Sequence, residues 1–107
     1  MNFERIEMSF SALEIQVIRW LEDRRIIQNS TVEAQFLKTV SEIGELADCI
    51  NKGDIDGIKD AIGDVTVTLL AVAAILDIDF TDCLEHAYNE IKDRRGVLMP
   101  NGVFVKD

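Results

Sequence analysis

Lys38 to Thr68 reads KTVSEIGELADCINKGDIDGIKDAIGDVTVT, and this stretch decides the fold. Glu42 and Glu45 sit three apart on a strongly helical segment, and Asp60 and Asp64 sit four apart on the next. Both spacings put the paired side chains on one helix face, about a turn apart. If the two segments pack antiparallel, four carboxylates converge. Such a cluster stays ionised only with a cation between the helices. Oxygen-only ligands select a hard ion, Mg²⁺ or Mn²⁺, over zinc. Asp64 lies in a segment that is otherwise almost wholly apolar, so it is expected to be the deepest of the acids. A buried carboxylate needs a partner. Either a cation or a basic side chain, Lys38 or Lys92, would serve.

Working outward, four helices are expected. Ser11 with Glu14 forms a capping box, and Leu13, Val17, Trp20 and Leu21 repeat at helical spacing, giving a first helix over 11–27. Ser30 with Glu33 opens a second over 31–52, whose apolar stripe is Val32, Phe36, Val40, Ile43, Ala47 and Ile50. A second stripe, Gln35, Lys38, Glu42, Glu45 and Cys49, borders it. Gly53 suits a C-cap, and Asp54 or Asp56 opens a third helix over 56–77. Asp79 or Thr81 caps a fourth over 80–95, with Arg94 and Arg95 at its C-terminal dipole and Gly96 ending it. The tail VLMPNGVFV places Asn-Gly between two β-prone triplets, the mark of a short hairpin. Residues 1–10 read as an irregular arm. The fold class is all-α: an antiparallel four-helix bundle with a short C-terminal β-hairpin or extended tail.

The 107 residues make one domain, 1–107, with no room for two cores. A net charge of −9 argues against a nucleic-acid partner. An acidic chain still binds a triphosphate where metal ions bridge the negative charges. Cys49 and Cys83 lack a C-x-x-C spacing and read as reduced thiols. No basic-then-apolar leader opens the sequence, so a cytoplasmic location is expected. Ala61 to Leu76 is very apolar, but its 16 residues fall short of the roughly 20 that span a bilayer. It reads as the most buried helix of a soluble bundle. Trp20 stacks on a base or, more commonly for a lone Trp, joins the core or an interface. Tyr88 reads as core and His86 as surface.

The E-x-x-E pair, the Gly-containing turn and the following I-G-D-V resemble the MazG-like all-α nucleoside triphosphate pyrophosphohydrolases. The likeness runs from about Leu13 to Arg95 and includes QFLKTVSEIGELAD and AYNEIKDRRG. The family signature is E-x-x-E, a gap, then E-x-x-D, which Glu42, Glu45 and Asp64 match. Its third acid falls on Ala61 here. Asp60, one residue earlier, reads as a displaced ligand. The resemblance implies an Mg²⁺-dependent hydrolysis of a nucleoside triphosphate to the monophosphate and pyrophosphate. Glu42, Glu45, Asp60 and Asp64 would hold metal, with Glu42 or Glu45 as catalytic base. Lys38, Asn89, Lys92 and Arg95 would bind substrate. It also implies a homodimer or homotetramer, with the active site near the interface. Two other readings compete: a phosphoribosyl-ATP pyrophosphohydrolase-like enzyme, and a non-enzymatic helical interaction module.

Overall fold

A computed structural model describes residues 8–107. Five helices and one two-stranded sheet follow in order: α1 (Phe10–Asp23), α2 (Ile26–Asn29), α3 (Val32–Lys52), α4 (Ile55–Ile75), α5 (Phe80–Ile91), β1 (Gly96–Leu98) and β2 (Phe104–Lys106). The all-α fold and the C-terminal hairpin are as expected. The expected arm over 1–10 lies mostly outside the described residues.

The helix ends show local chemistry at work. Ser9, not Ser11, caps α1, accepting from the Ala12 N–H at 3.2 Å. Thr31, not Ser30, caps α3, accepting from Ala34 at 3.1 Å, while the Ser30 hydroxyl takes the Gln35 side-chain amide at 3.0 Å. Gly53 ends α3 in the left-handed region at φ 66°, as a C-cap glycine should. Asp54 then caps α4 through the Gly57 N–H at 3.0 Å. The two-residue turn folds α3 and α4 into an antiparallel pair.

The expected first helix breaks at Arg24–Arg25. Arg25 takes φ 64°, a left-handed conformation that costs a non-glycine residue roughly 1–2 kcal/mol. No Gly, Pro or Asn marks that break. Packing offsets it: Leu21 is only 1% exposed, and beyond the break α2 turns the half-buried Ile26 and Ile27 back against α4. The last helix ends at Ile91, four residues earlier than expected, so Arg94 and Arg95 lie beyond it. Gly96 starts β1 instead of stopping a helix. A Cβ there would meet the Phe104 ring and the Val105 carbonyl, so the pairing needs glycine.

Helix α4 is the hub, packing against α1, α2, α3 and α5. It supplies most of the core, with Ala61, Leu70, Ala71 and Ala73 buried. α5 bends away at 104°, packing on α4 and meeting α1 only at its first turn, where Phe80 stacks on Phe10 and the Thr81 hydroxyl bonds Glu14 at 3.2 Å. Tyr88, read as core, is exposed for that reason. Among the described residues no single helix is long and apolar enough to cross a membrane.

The faces of α3 are reversed from expectation. Its stripe Phe36, Val40, Ile43, Ala47 and Ile50 is exposed. The face turned to α4 is Gln35, Thr39, Glu42, Leu46 and Cys49, buried or half-buried. The register follows from paired contacts: Thr39 with Thr68, and Cys49 beside Gly57.

Candidate active site

The α3–α4 seam carries a buried polar line. Thr39 Oγ lies 2.8 Å from Thr68 Oγ, and the Thr68 hydroxyl donates to the Val65 carbonyl at 2.7 Å. The Thr39 hydroxyl also reaches the Gln35 carbonyl at 3.0 Å. One turn further along α3 comes Glu42, 6% exposed. Its Oε1 takes an ion pair from Lys38 at 3.1 Å, one turn back on the same helix. Its Oε2 is buried with no hydrogen-bond partner among the described residues.

This makes Glu42, not Asp64, the deepest acid. Asp64 is exposed. It sits at the rim although Ala61 and Thr68, three before and four after it on the same helix face, are buried. An apolar sequence neighbourhood does not by itself bury a side chain; a neighbouring element must also cover it at that level.

The charges interact. The Lys38 ammonium is held above its usual range, first by its hydrogen bond to Glu42, then by the Glu42 charge, with Glu45 and Asp64 adding to it. The Glu45 carboxyl is likewise pushed up, first by a hydrogen bond to Glu42 that only the protonated acid can donate, then by the Glu42 charge. Glu42, Glu45, Asp64 and Lys38 thus form one electrostatic group. Asp60 is exposed and exerts none of these influences. It lies a further turn toward the N-terminus of α4, opposite the Leu46 level of α3. Asn89, Lys92 and Arg95 are exposed on or beyond α5, which does not touch α3.

A groove of about 460 Å³ opens beside this group. Its lining mixes apolar Trp20, Leu21, Ile26 and Val67 with polar Gln35, Lys38, Glu42, Asp64 and Thr68. Arg24 lies over the Trp20 ring, 5.7 Å from its centroid. Trp20 is thus neither core nor wholly solvated. Thr39 and Thr68 escaped the sequence reading, although each sits at helical spacing from an acid, three before Glu42 and four after Asp64.

The chemistry of the group suits a divalent cation. A buried carboxylate oxygen without a donor, next to two further carboxylates, is the environment a positive ion relieves. All the donors are oxygens, which fits Mg²⁺ or Mn²⁺. Among the described residues no three acids, histidines or cysteines are close enough to grip an ion as they stand.

Comparison with known proteins adds an independent line. The family model of the MazG nucleotide pyrophosphohydrolase domain matches residues 30–97. An uncharacterized 18.2 kDa protein in the rep-hol intergenic region of Haemophilus phage HP1 (strain HP1c1) is 41% identical over 61 residues, 57% of this chain. The match spans only 37% of that relative's length. No solved structure matches.

Proposed function

The chain belongs to the MazG nucleotide pyrophosphohydrolase family, and from that premise we propose that it hydrolyses a nucleoside triphosphate to the monophosphate and pyrophosphate with Mg²⁺, or Mn²⁺, as cofactor. Water attacks the α-phosphorus, and the bond to the bridging oxygen breaks as pyrophosphate leaves. The observation that carries this reading is the orphaned Oε2 of Glu42, coupled to Glu45 and Asp64 at a groove lined by both polar and apolar side chains. Glu42, Glu45 and Asp64 would hold the cation, Glu45 and Asp64 turning their exposed side chains inward. When bound, the metal neutralises phosphate charge and makes a bound water more acidic. Phosphoryl transfer asks the protein mainly for positioning and charge neutralisation. Glu42 or Glu45 accepts the proton of the attacking water. Lys38 supplies a further positive charge at the phosphate end. Trp20, braced by Arg24, offers a flat surface for a base in the same groove.

Lys92, Asn89 and Arg95 have no place in the groove of a single chain. Their part in substrate binding therefore requires a second copy, and the working form is a homodimer or homotetramer. Two features support this assembly. The α3 face is uncovered, with Phe36 58% exposed and Ile43 50%. The surface of 8745 Å² is well above the roughly 6000 Å² of a compact chain of 12.0 kDa. Pyrophosphate release from a panel of ribo- and deoxyribonucleoside triphosphates, with and without Mg²⁺, tests the activity. Metal-dependent release from at least one triphosphate is expected; none from any would overturn the reading.

A further inference from the structure

The C-terminal hairpin stands off the helices. β1 and β2 pair only with each other, Val97 opposite Val105 and Leu98 opposite Phe104. The alternation of a strand puts the two pairs on opposite faces. Both faces are apolar and both are open: Val97 and Leu98 are 60% and 68% exposed. An isolated two-stranded hairpin is marginal in water, so a further surface must cover this one.

Charge indicates which surface. Residues 92–107 hold four cations and two acids, whereas residues 1–91 hold seven cations and eighteen acids. The arm is the positive part of an acidic protein. Among the described residues Arg94, Arg95 and Lys106 make no ion pair. The body has a matching counterpart. A groove of about 480 Å³ runs between α1 and the α4–α5 link, on an apolar floor that includes Ile18, Ile27 and Ile78. Glu14, Glu22, Asp77 and Asp79 rim it, and no cation among the described residues lines it. None of these four acids is in an ion pair among the described residues.

We propose that this arm docks on a second copy of the chain, its apolar residues on the Ile18–Ile27–Ile78 floor and Arg94 and Lys106 against the four acids. Arm and groove do not touch within one chain. Because each copy carries both, a two-fold exchange satisfies both arms at once and closes the assembly. Apolar cover supplies the stability, and opposite charge sets the register and the rate of encounter. The inference is independent of the catalytic reading, since it uses none of the residues at the Glu42 groove.

Carbodiimide coupling of full-length protein tests it. Equal amounts of ¹⁴N- and ¹⁵N-labelled chains are allowed to exchange, coupled, digested and weighed. Lys106 of one label should be joined to Glu14, Glu22, Asp77 or Asp79 of the other. The double variant Leu98→Asp, Val105→Asp should lower those mixed-label links by at least tenfold. Both changed residues are exposed on the arm, so helicity by circular dichroism should be unchanged. Links confined to a single label would show the arm folding back on its own groove and would overturn the proposal. So would the absence of links from Lys106 to those acids, or mixed-label links undiminished in the variant.

Discussion

The two faces of α3 are each turned against their own preference. The inner face presents Thr39 and Glu42 to α4, and the outer face presents Phe36, Val40, Ile43 and Ile50 to solvent. A lone amphipathic helix would turn the other way. The inner face keeps its polar residues because Thr39 meets Thr68 and Glu42 meets Lys38, which leaves only one carboxylate oxygen unserved. The outer face has no such compensation within the chain. The difference teaches that polar residues stay on an inner face where each finds a partner, while an apolar stripe left outside has none within the chain.

Glu42→Gln separates stability from activity on the inner face. The amide keeps the shape and removes the charge that would hold the cation. Activity should fall by more than about 100-fold, since even supporting residues at metal sites cost about 10–100-fold. The same change should raise metal-free stability by about 1–2 kcal/mol, because it removes a buried charge crowded by two others. Thermal melting in a chelator checks the second part; a lower melting temperature would mean that Glu42 is structurally satisfied as it stands.

On the outer face, Ile43→Asp should leave the helical content intact and abolish assembly. Light scattering should give at least twice the 12.0 kDa chain mass for the native protein, and the chain mass itself for the variant. A native protein already at 12.0 kDa would remove the reason offered for the exposed stripe.

A smaller effect belongs to the threonine pair. Thr68→Val leaves the Thr39 hydroxyl its bond to the Gln35 carbonyl, so about 1 kcal/mol should be lost, read from chemical denaturation. A loss several times larger would make the pair a keystone of the seam.

The smallest effect is expected at Asp60, which lies one turn nearer the N-terminus of α4 than Asp64 and does not line the groove. Asp60→Ala should change the Mg²⁺ requirement by less than about threefold, far below the 10–100-fold loss of a working site residue. A loss in that larger range would return Asp60 to the ligand set.

Much of this was legible in the sequence. Helix locations followed from periodicity, and Gly53 and Asp54 from capping chemistry, because these are local rules. The E-x-x-E pair and Asp64 were visible because helical spacing converts directly into proximity. Three features were not legible. Arg25 breaks the first helix with no breaker residue, since the cause lies in the packing of Leu21, Ile26 and Ile27 on α4. The outward turn of the apolar α3 stripe follows from the pairing of Thr39 with Thr68 across the α3–α4 seam, a long-range contact that spacing along one helix does not report. The exchange of depth between Asp64 and Glu42 depends on which parts of α4 other elements cover. The density of apolar residues along a helix does not report that cover.

The central claim is that the inner face of α3 binds a divalent cation through Glu42. A thermal melt of the native protein and of Glu42→Gln across an Mg²⁺ titration tests it most directly. The native protein should gain stability as Mg²⁺ rises, by about 2.7 kcal/mol at a hundred times the dissociation constant. Glu42→Gln should start higher and stay flat. A native melting temperature indifferent to Mg²⁺, or an equal rise in both proteins, would contradict the account.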